Sequence, residues 1–125
     1  MRKPRITRDG RQVVLGSIDE ETLLSHVLHL ARFGGWCAIH CRYSQGVLQG
    51  AHTPRQGTHD DASGWPDLVL VKPGVGILYR ELKREKGRLD PNQKRWGETL
   101  RAAGGNWDVW RPSDEHRIRS ELGLE

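Results

Sequence analysis

The stretch GWPDLVLVKPGVGILYRELKREKGR, residues 64–88, holds two apolar runs on either side of a turn signal. The runs cover residues 67–71 and 76–82, and each has the length of a strand. The Lys-Pro-Gly tripeptide at 72–74 lies between them, and its Pro-Gly pair marks a turn. This pattern predicts an antiparallel hairpin whose open ends lie close in space.

The predicted hairpin brings polar residues from its two open ends together. Asp67 begins the first strand and faces Glu81, near the end of the second. Strand alternation places Glu81 and Lys83 on one face and turns Leu82 toward the core. Two carboxylates about 4 Å apart repel by roughly 4 kcal/mol at an effective dielectric constant of 20, so a fold rarely keeps them together without a cation. Hard oxygen ligands suit Mg²⁺ or Mn²⁺, and a solvated strand face with an incidental ion pair is the alternative.

The rest of the chain predicts alternating helices and strands in the order αβββαβα, with no repeat. Residues 1–16 form a basic arm and residues 17–125 one domain. The predicted elements are a first helix after a Ser17–Glu20 capping box, a strand over 36–43, a loop over 44–64, the hairpin, a helix begun by Asp90 and Pro91, a strand over 106–110, and a helix capped by Ser113 with Ile118 and Leu122 inward.

Composition favours one small domain with a polyanionic partner. The 125 residues include 20 Lys and Arg against 16 Asp and Glu, a net charge of +4. Cys37 and Cys41 are too few for a disulfide framework and lack the second pair of a zinc site, which predicts reduced thiols. No apolar run approaches 18 residues and the N-terminus lacks a signal-peptide pattern, so we expect a cytoplasmic protein without a membrane partner.

Three sequence elements together resemble a known family. Gly64-Trp65-Pro66-Asp67, then Glu81-Leu82-Lys83, then Gln93 with Trp96 are similar to the VRR-NUC (virus-type replication-repair nuclease) family of the PD-(D/E)xK superfamily, in its stand-alone small form common in phages and bacteria. The resemblance runs from about residue 19 to 112. It implies an α/β, restriction-endonuclease-like αβββαβ core with a central mixed sheet flanked by helices. It also implies Mg²⁺-dependent hydrolysis of DNA phosphodiesters, with Mn²⁺ able to substitute.

The resemblance also implies a set of site residues. Asp67, Glu81 and the Leu82 carbonyl would hold the metal, and Lys83 would act on the attacking water or the transition state. A glutamate on the first helix and a helical Gln, Gln93, would complete the site.

Both helical residues have a simpler interpretation. We favour Glu20 over Glu21, since Glu20 shares the face of Leu23 and Val27, whereas Glu21 lies on a wetter stripe. Glu20 would reach the metal directly or through water. Capping boxes, Ser17 with Glu20 and Asp90 with Gln93, explain the same residues without catalysis.

Basic residues near the predicted site are candidates for DNA contact, although charged faces are usually only solvated. They are Arg55, Lys86, Arg88, Lys94 and Arg95. The tryptophans are expected to pack in the core, with Trp65 the exception that stacks on a base.

By analogy, the substrate is branched DNA such as a Holliday junction, and the symmetry of a junction favours a homodimer. The competing classes are a non-catalytic DNA-binding module, an RNA-directed nuclease, and an interaction subunit of a repair complex. Degenerate family members are expected to lose Asp67, Glu81 or Lys83, and this chain retains all three.

Overall fold

The computed structural model describes residues 14–41, 43–44, 47–48 and 62–124. A helical turn at 14–16 precedes the main elements. These are α1 (Glu20–Phe33), β1 (Cys37–His40), β2 (Tyr43–Ser44), β3 (Val47–Leu48), β4 (Leu68–Lys72), β5 (Gly76–Leu82), α2 (Pro91–Ala102), β6 (Asn106–Trp110), a 3-10 turn (Pro112–Asp114) and α3 (Glu115–Glu121).

Four of the strands form a mixed sheet in the order β1-β4-β5-β6. β1, β4 and β5 run antiparallel, with Leu68 opposite Arg80, and β6 runs parallel to β5, with Trp110 opposite Leu82. The helix between β5 and β6 makes this parallel pairing possible, since a parallel connection needs a crossover. The predicted α/β class and αβββαβ core are confirmed.

The hairpin of β4 and β5 has its turn where the sequence predicts it. The Val75 amide donates to the Lys72 carbonyl at 3.0 Å, and Gly74 has a φ of +80°, a conformation that glycine adopts without strain. Continuing the register one step beyond Leu68 and Arg80 places Asp67 beside Glu81, which lies near the end of β5.

The start of α1 corrects one prediction. Asp19, and not Ser17, is the N-cap: its Oδ1 accepts from the Thr22 amide at 2.7 Å. The Ser17 hydroxyl instead donates to the Val14 carbonyl at 2.7 Å and closes the preceding helical turn. Glu20 is therefore the first helical residue and has no part in a capping box.

The second helix begins as predicted, and the third does not. Asp90 caps α2, Pro91 is its first residue, and Gln93 completes a capping box. α3 begins at Glu115 after the 3-10 turn, and the Ser113 amide donates to Glu85 Oε2 at 2.9 Å, so Ser113 is not its cap. The inward positions of α3 are as predicted, with Ile118 and Leu122 buried.

The core lies between α1, α3 and one face of the sheet. Its largest apolar members include Trp36, Trp110, Leu68, Leu70, Leu78 and Leu82, together with Leu23, Val27, Leu30 and Ala31 from α1. Arg80 is also buried there, although it stands in a run that reads as apolar. Cys37 and Cys41 are free thiols, as predicted.

Two predicted segments are only partly described. The predicted loop over 44–64 was wrong at its start, because β2 and β3 pair antiparallel as a two-stranded sheet. Residues 1–13 of the basic arm and residues 49–61 lie outside the described residues, and so does Arg55. Within the described ranges, no helix is both long and apolar enough to cross a membrane.

Candidate active site

A cleft of about 590 Å³ opens where β4 begins and β5 ends, beside the first turns of α1 and α2. All five residues predicted to be catalytic line it, together with residues from the same elements and β1. The lining side chains are Glu20, Glu21, Leu24, Ser25, Leu28, His40, Asp67, Glu81, Leu82, Lys83 and Gln93. Five separate segments of the chain thus meet at one end of the sheet.

Asp67 is fixed at this end by the strand that follows the hairpin turn. Its Oδ2 accepts from the Leu82 amide at 2.8 Å, and its backbone carbonyl accepts from the Cys41 amide at 2.8 Å. The Asp67 carboxylate thus accepts the Leu82 amide just beyond Leu68 and Arg80, the last paired residues of β4 and β5. In an extended strand the N–H and C=O of one residue point to the same edge, so the Leu82 carbonyl faces the Asp67 side as well.

Glu81 is the most confined acid of the cleft, with only 2% of its surface exposed. Its Oε1 accepts from Gln93 Nε2 at 3.0 Å, whereas its Oε2 is buried and has no hydrogen-bond partner among the described residues. Burial, followed by the neighbouring Asp67 carboxylate, raises the pKa of Glu81 to about 10, against the opposing effect of Lys83. When Glu81 is protonated, it can share its proton with Asp67. When Glu81 is ionised, no donor among the described residues reaches its Oε2.

Gln93 serves the helix and the cleft together. Its Oε1 accepts from the Asp90 amide at 2.9 Å, and its amide donates to Asp90 Oδ1 at 2.9 Å, which closes the capping box. Its Nε2 remains free of the box and donates to Glu81. The predicted capping box is therefore present, and the same side chain also contacts an acid of the cleft.

Lys83 extends the cleft beyond the end of β5. Its Nζ lies 3.7 Å from Glu20 Oε1, and only 14% of its side chain is exposed. Its amide donates to the Trp110 carbonyl at 3.1 Å, so β6 holds the backbone at this residue. Glu20 stands in the first turn of α1, where the helix dipole favours a carboxylate.

Glu20 and Glu21 lie on different stripes of α1, and both line the cleft. Glu21 lines the cleft too, with Leu24, Ser25 and Leu28 of its own stripe. The wetter stripe is the one that borders the cleft, so its polarity was not evidence against a place at the site. The contact with Lys83 is what distinguishes Glu20.

The donor set fits a small divalent cation. Among residues 14–41, 43–44, 47–48 and 62–124, no three His, Cys, Asp or Glu side chains group closely enough to hold a metal ion. Asp67, Glu81 and the Leu82 carbonyl offer hard oxygens, and Mg²⁺ usually takes one or two carboxylates with water and substrate oxygens completing its shell. The unpartnered Glu81 Oε2 is the observation that such a cation would account for.

The four described candidates for DNA contact, Lys86, Arg88, Lys94 and Arg95, lie outside the cleft lining. Lys86, Arg88 and Lys94 are exposed, as a phosphate contact requires. Arg95 is half-buried, and one terminal nitrogen of its guanidinium is enclosed without a hydrogen-bond partner among the described residues. Trp65, expected to stack on a base, packs edge-to-face on the rings of Tyr79 and Trp96.

Sequence reasoning missed the contribution of β1 to the cleft. His40 lines the cleft because β1 pairs with β4 so that His40 lies opposite Leu68, one residue after Asp67. The pairing of two strands separated by a long segment leaves no local signal. A histidine at the end of the strand that precedes the hairpin is the pattern that could have indicated it.

Comparisons with known proteins bear on the family and on the fold. A family model described as the VRR-NUC domain matches residues 38–113, more than half of the chain. The chain belongs to the VRR-NUC domain family. A solved structure described as a VRR_NUC domain is 24% identical, with a TM-score of 0.59 over 81% of this chain and 94% of that chain, and it supports the fold. No curated protein matches.

Membership confirms the predicted resemblance and identifies a nuclease-type domain. The matched VRR-NUC segment contains Asp67, Glu81, Lys83 and Gln93. It begins after α1, later than residue 19, so the place of Glu20 in the site rests on geometry alone.

Proposed function

We propose that this VRR-NUC chain is a Mg²⁺-dependent DNA endonuclease that hydrolyses phosphodiester bonds in the cleft. The observation that carries the proposal is the pair of carboxylates at Asp67 and Glu81, in which a buried Glu81 oxygen has no partner among the described residues. A folded chain keeps such a pair at a cost in stability, and the cost is understandable where a cation binds.

The proposed metal ligands are Asp67, Glu81 and the Leu82 carbonyl, with Glu20 in reach through a water. When bound, Mg²⁺ would supply Lewis-acid stabilisation of charge on the phosphate and a more acidic water. Gln93 holds Glu81 by Oε1 and leaves Oε2 as the ligand atom. The Leu82 amide likewise fixes the rotamer of Asp67 through Oδ2.

Lys83 is the residue proposed to act on the attacking water or on the phosphate. Its ammonium stands in the cleft, with the Glu20 carboxylate as counter-charge at 3.7 Å. From this position it orients the attacking water or stabilises the negative charge that develops on the phosphate. The backbone bond to Trp110 keeps its Cα in place while the side chain acts.

The proposed substrate is branched DNA, bound by two copies of the chain. Exposed Lys86, Arg88 and Lys94 would contact phosphates, and the net charge of +4 favours such a partner. A four-way junction has twofold symmetry, which two copies match when each cuts one strand. Arg55 keeps its proposed phosphate contact, and Arg95, half-buried, is the weakest of the set.

The decisive experiment is cleavage of labelled four-way junction, flap, duplex and single-stranded DNA, with matched RNA, in Mg²⁺, Mn²⁺ or EDTA. Wild type is compared with Asp67→Asn and Lys83→Met, which keep side-chain size while removing charge. Lys72→Met is the matched control, because Lys72 lies on β4 outside the cleft lining. We expect cleavage of DNA in Mg²⁺ that EDTA and both cleft substitutions abolish and the control retains.

Paired symmetric cuts in the junction would support the substrate and the two-copy arrangement. Cleavage of duplex or flap DNA alone would support the nuclease activity and contradict the proposal that the substrate is a junction. If no substrate is cut while wild type and variants bind DNA equally, the catalytic proposal fails and a DNA-binding module replaces it.

A further inference from the structure

The segment before Asp67 is pressed against the first turn of α2. Asn92 Nδ2 donates to Ser63 Oγ at 3.0 Å, and the rings of Trp65 and Trp96 meet edge-to-face with centroids 5.1 Å apart. Gly64 lies between these two contacts. The segment that leads into β4 and the helix that carries Gln93 are thus joined side by side.

Gly64 leaves no room for a side chain at this junction. A Cβ there would lie 2.4 Å from the Asn92 carbonyl carbon and 2.6 Å from both the Asn92 oxygen and the Gln93 amide nitrogen. These are backbone atoms of a helix, which cannot rotate away as a side-chain end can. Gly64 also has a φ of +85°, the left-handed region that favours glycine.

The backbone that Gly64 touches positions a group of the cleft. Gln93 Nε2 reaches Glu81 Oε1 at 3.0 Å, and its Oε1 is held by the Asp90 amide, so the side chain has little freedom to follow a moving helix. A displacement of the first turn of α2 by a few tenths of an ångström or more would move Nε2 by a similar amount. The hydrogen bond to Glu81 would lengthen or break.

We propose that Gly64 is a positioning residue: its missing side chain sets the distance between α2 and the segment before Asp67, and thereby places Gln93 on Glu81. The effect on catalysis rests on the proposed function. The effect on the Gln93–Glu81 hydrogen bond does not, and it can be measured in a protein that cuts nothing.

The test compares Gly64→Ala with Gly74→Ala. Gly74 has a φ of +80° and nothing within 4 Å of its Cβ position, so its substitution imposes the same backbone strain without a collision. The first readout is the NMR signal of the Gln93 side-chain amide, identified by its loss in Gln93→Ala. We expect this signal to shift in Gly64→Ala and to stay at the wild-type position in Gly74→Ala.

The second readout is single-turnover cleavage at saturating DNA. We expect Gly64→Ala to lose about tenfold or more in rate relative to Gly74→Ala, as misplacement of a site group does. In a Gln93→Ala background, Gly64→Ala should cost less than about twofold further, because coupled residues are not additive. An unchanged amide signal, or a full tenfold loss in the Gln93→Ala background, overturns the proposal.

Two further outcomes are separable. If wild type cuts no substrate but the amide signal moves as expected, the proposed function fails and the positioning role stands. If Gly64→Ala does not fold, Asn92→Ala takes its place, since it removes the side-chain bond to Ser63 at the same junction. A shifted Gln93 signal in Asn92→Ala supports the proposal, and an unchanged one overturns it.

Discussion

Glu81 is a buried acid whose protonation is coupled to folding. In the unfolded chain its carboxyl has the ordinary pKa of 4.5, and in the folded chain burial and the adjacent Asp67 raise the pKa to about 10. Between these values the folded chain holds a proton that the unfolded chain has released. Stability is therefore greatest below pH 4.5, as far as this group is concerned, and falls as the pH rises toward 10.

We predict that Glu81→Gln removes this pH dependence. In EDTA, the free energy of unfolding of wild type should fall with pH by up to about 1.4 kcal/mol per unit more than that of the variant. The two stabilities should converge near pH 4, and the variant should be the more stable at pH 8. Urea unfolding from pH 4 to 9 measures both slopes, and parallel slopes would contradict the raised pKa.

Gln93 offers a separation of its two roles by substitution. Gln93→Glu keeps an oxygen for the Asp90 amide but replaces the donor to Glu81 with a carboxylate, whereas Gln93→Ala loses both contacts. We expect Gln93→Ala to cost about 1 kcal/mol of stability, because the Asp90 amide loses the Gln93 Oε1 acceptor of the capping box. Both variants should lose cleavage, and Gln93→Glu should lose the more, because a third acid repels Glu81 and Asp67.

Single-turnover cleavage and urea unfolding measure these two roles of Gln93. Glu98→Gln, exposed on α2, is the control and should match wild type in both. Wild-type cleavage by Gln93→Glu would show that the bond to Glu81 is dispensable.

At the level of single residues, the sequence predicts which acids lie together in the cleft better than it predicts the buried residues that hold the strands in place. Asp67 and Glu81 follow from a hairpin register that the turn at residues 72–74 determines. Arg80 could not be foreseen as buried, because its partners Asn106 and Glu121 come from β6 and α3, far along the chain. Local patterns carry no record of such distant pairing.

The start of a helix can be predicted where the nearby sequence offers only one suitable capping residue. Asp90 and Pro91 leave a single start for α2, and it begins there. Before α1, Ser17 and Asp19 are both good N-caps, and the structure uses Asp19 while Ser17 closes the turn at 14–16. Ser113 is also a good N-cap residue, but it lies inside the 3-10 turn Pro112–Asp114 that precedes α3 and therefore does not cap the helix.

Because α2 packs closely on β6, we expect a Gly→Ala substitution in this helix to destabilise the fold, opposite to its usual effect. In an exposed helix, Gly→Ala usually stabilises, by about 0.5–1 kcal/mol. At Gly97, however, a Cβ would lie 2.6 Å from ring atoms of the buried Trp107, so either the ring or the helix would have to shift. We expect Gly97→Ala to destabilise the fold by about 1–3 kcal/mol.

Thermal or urea unfolding measures this change at Gly97. Thr99→Ala, on the exposed side of α2, is the control and should be neutral or slightly stabilising. A stabilising Gly97→Ala would mean that α2 and β6 are further apart than described.

On the scale of the whole molecule, one buried cation joins the sheet to the last helix. Arg80, 1% exposed, donates to Glu121 Oε1 at 2.7 Å and to the Asn106 carbonyl at 2.6 Å, and its guanidinium lies over the ring of Trp110. Glu121 Oε2 also accepts from Trp110 Nε1 at 3.1 Å. β5, β6 and α3 therefore depend on one another.

We predict that Glu121→Ala costs about 3–5 kcal/mol of stability, because it leaves the buried Arg80 charge without its counter-charge. Arg119→Ala, which breaks a more exposed pair with Glu115 on the same helix, should cost less than about 1 kcal/mol. Urea unfolding of the two variants beside wild type tests the difference. Equal losses would mean that Arg80 finds compensation elsewhere.

The arrangement of the sheet is the part that the sequence predicted least directly. The hairpin could be read from its turn, whereas the place of β1 beside β4 and the parallel course of β6 depend on contacts between distant segments. The resemblance to the VRR-NUC family supplied the mixed sheet that local patterns could not. His40 entered the cleft unpredicted for the same reason.

The spread of the cleft along the chain has a consequence for synthesis on the ribosome. Glu20 leaves the exit tunnel long before Gln93, and the counter-charge of Arg80 leaves later still, at Glu121. Until then Arg80 lacks this counter-charge, so the packing of α3 against β5 and β6 cannot be completed. A nascent chain that stops before Glu121 therefore holds every acid of the cleft but lacks the salt bridge that ties the sheet to the last helix.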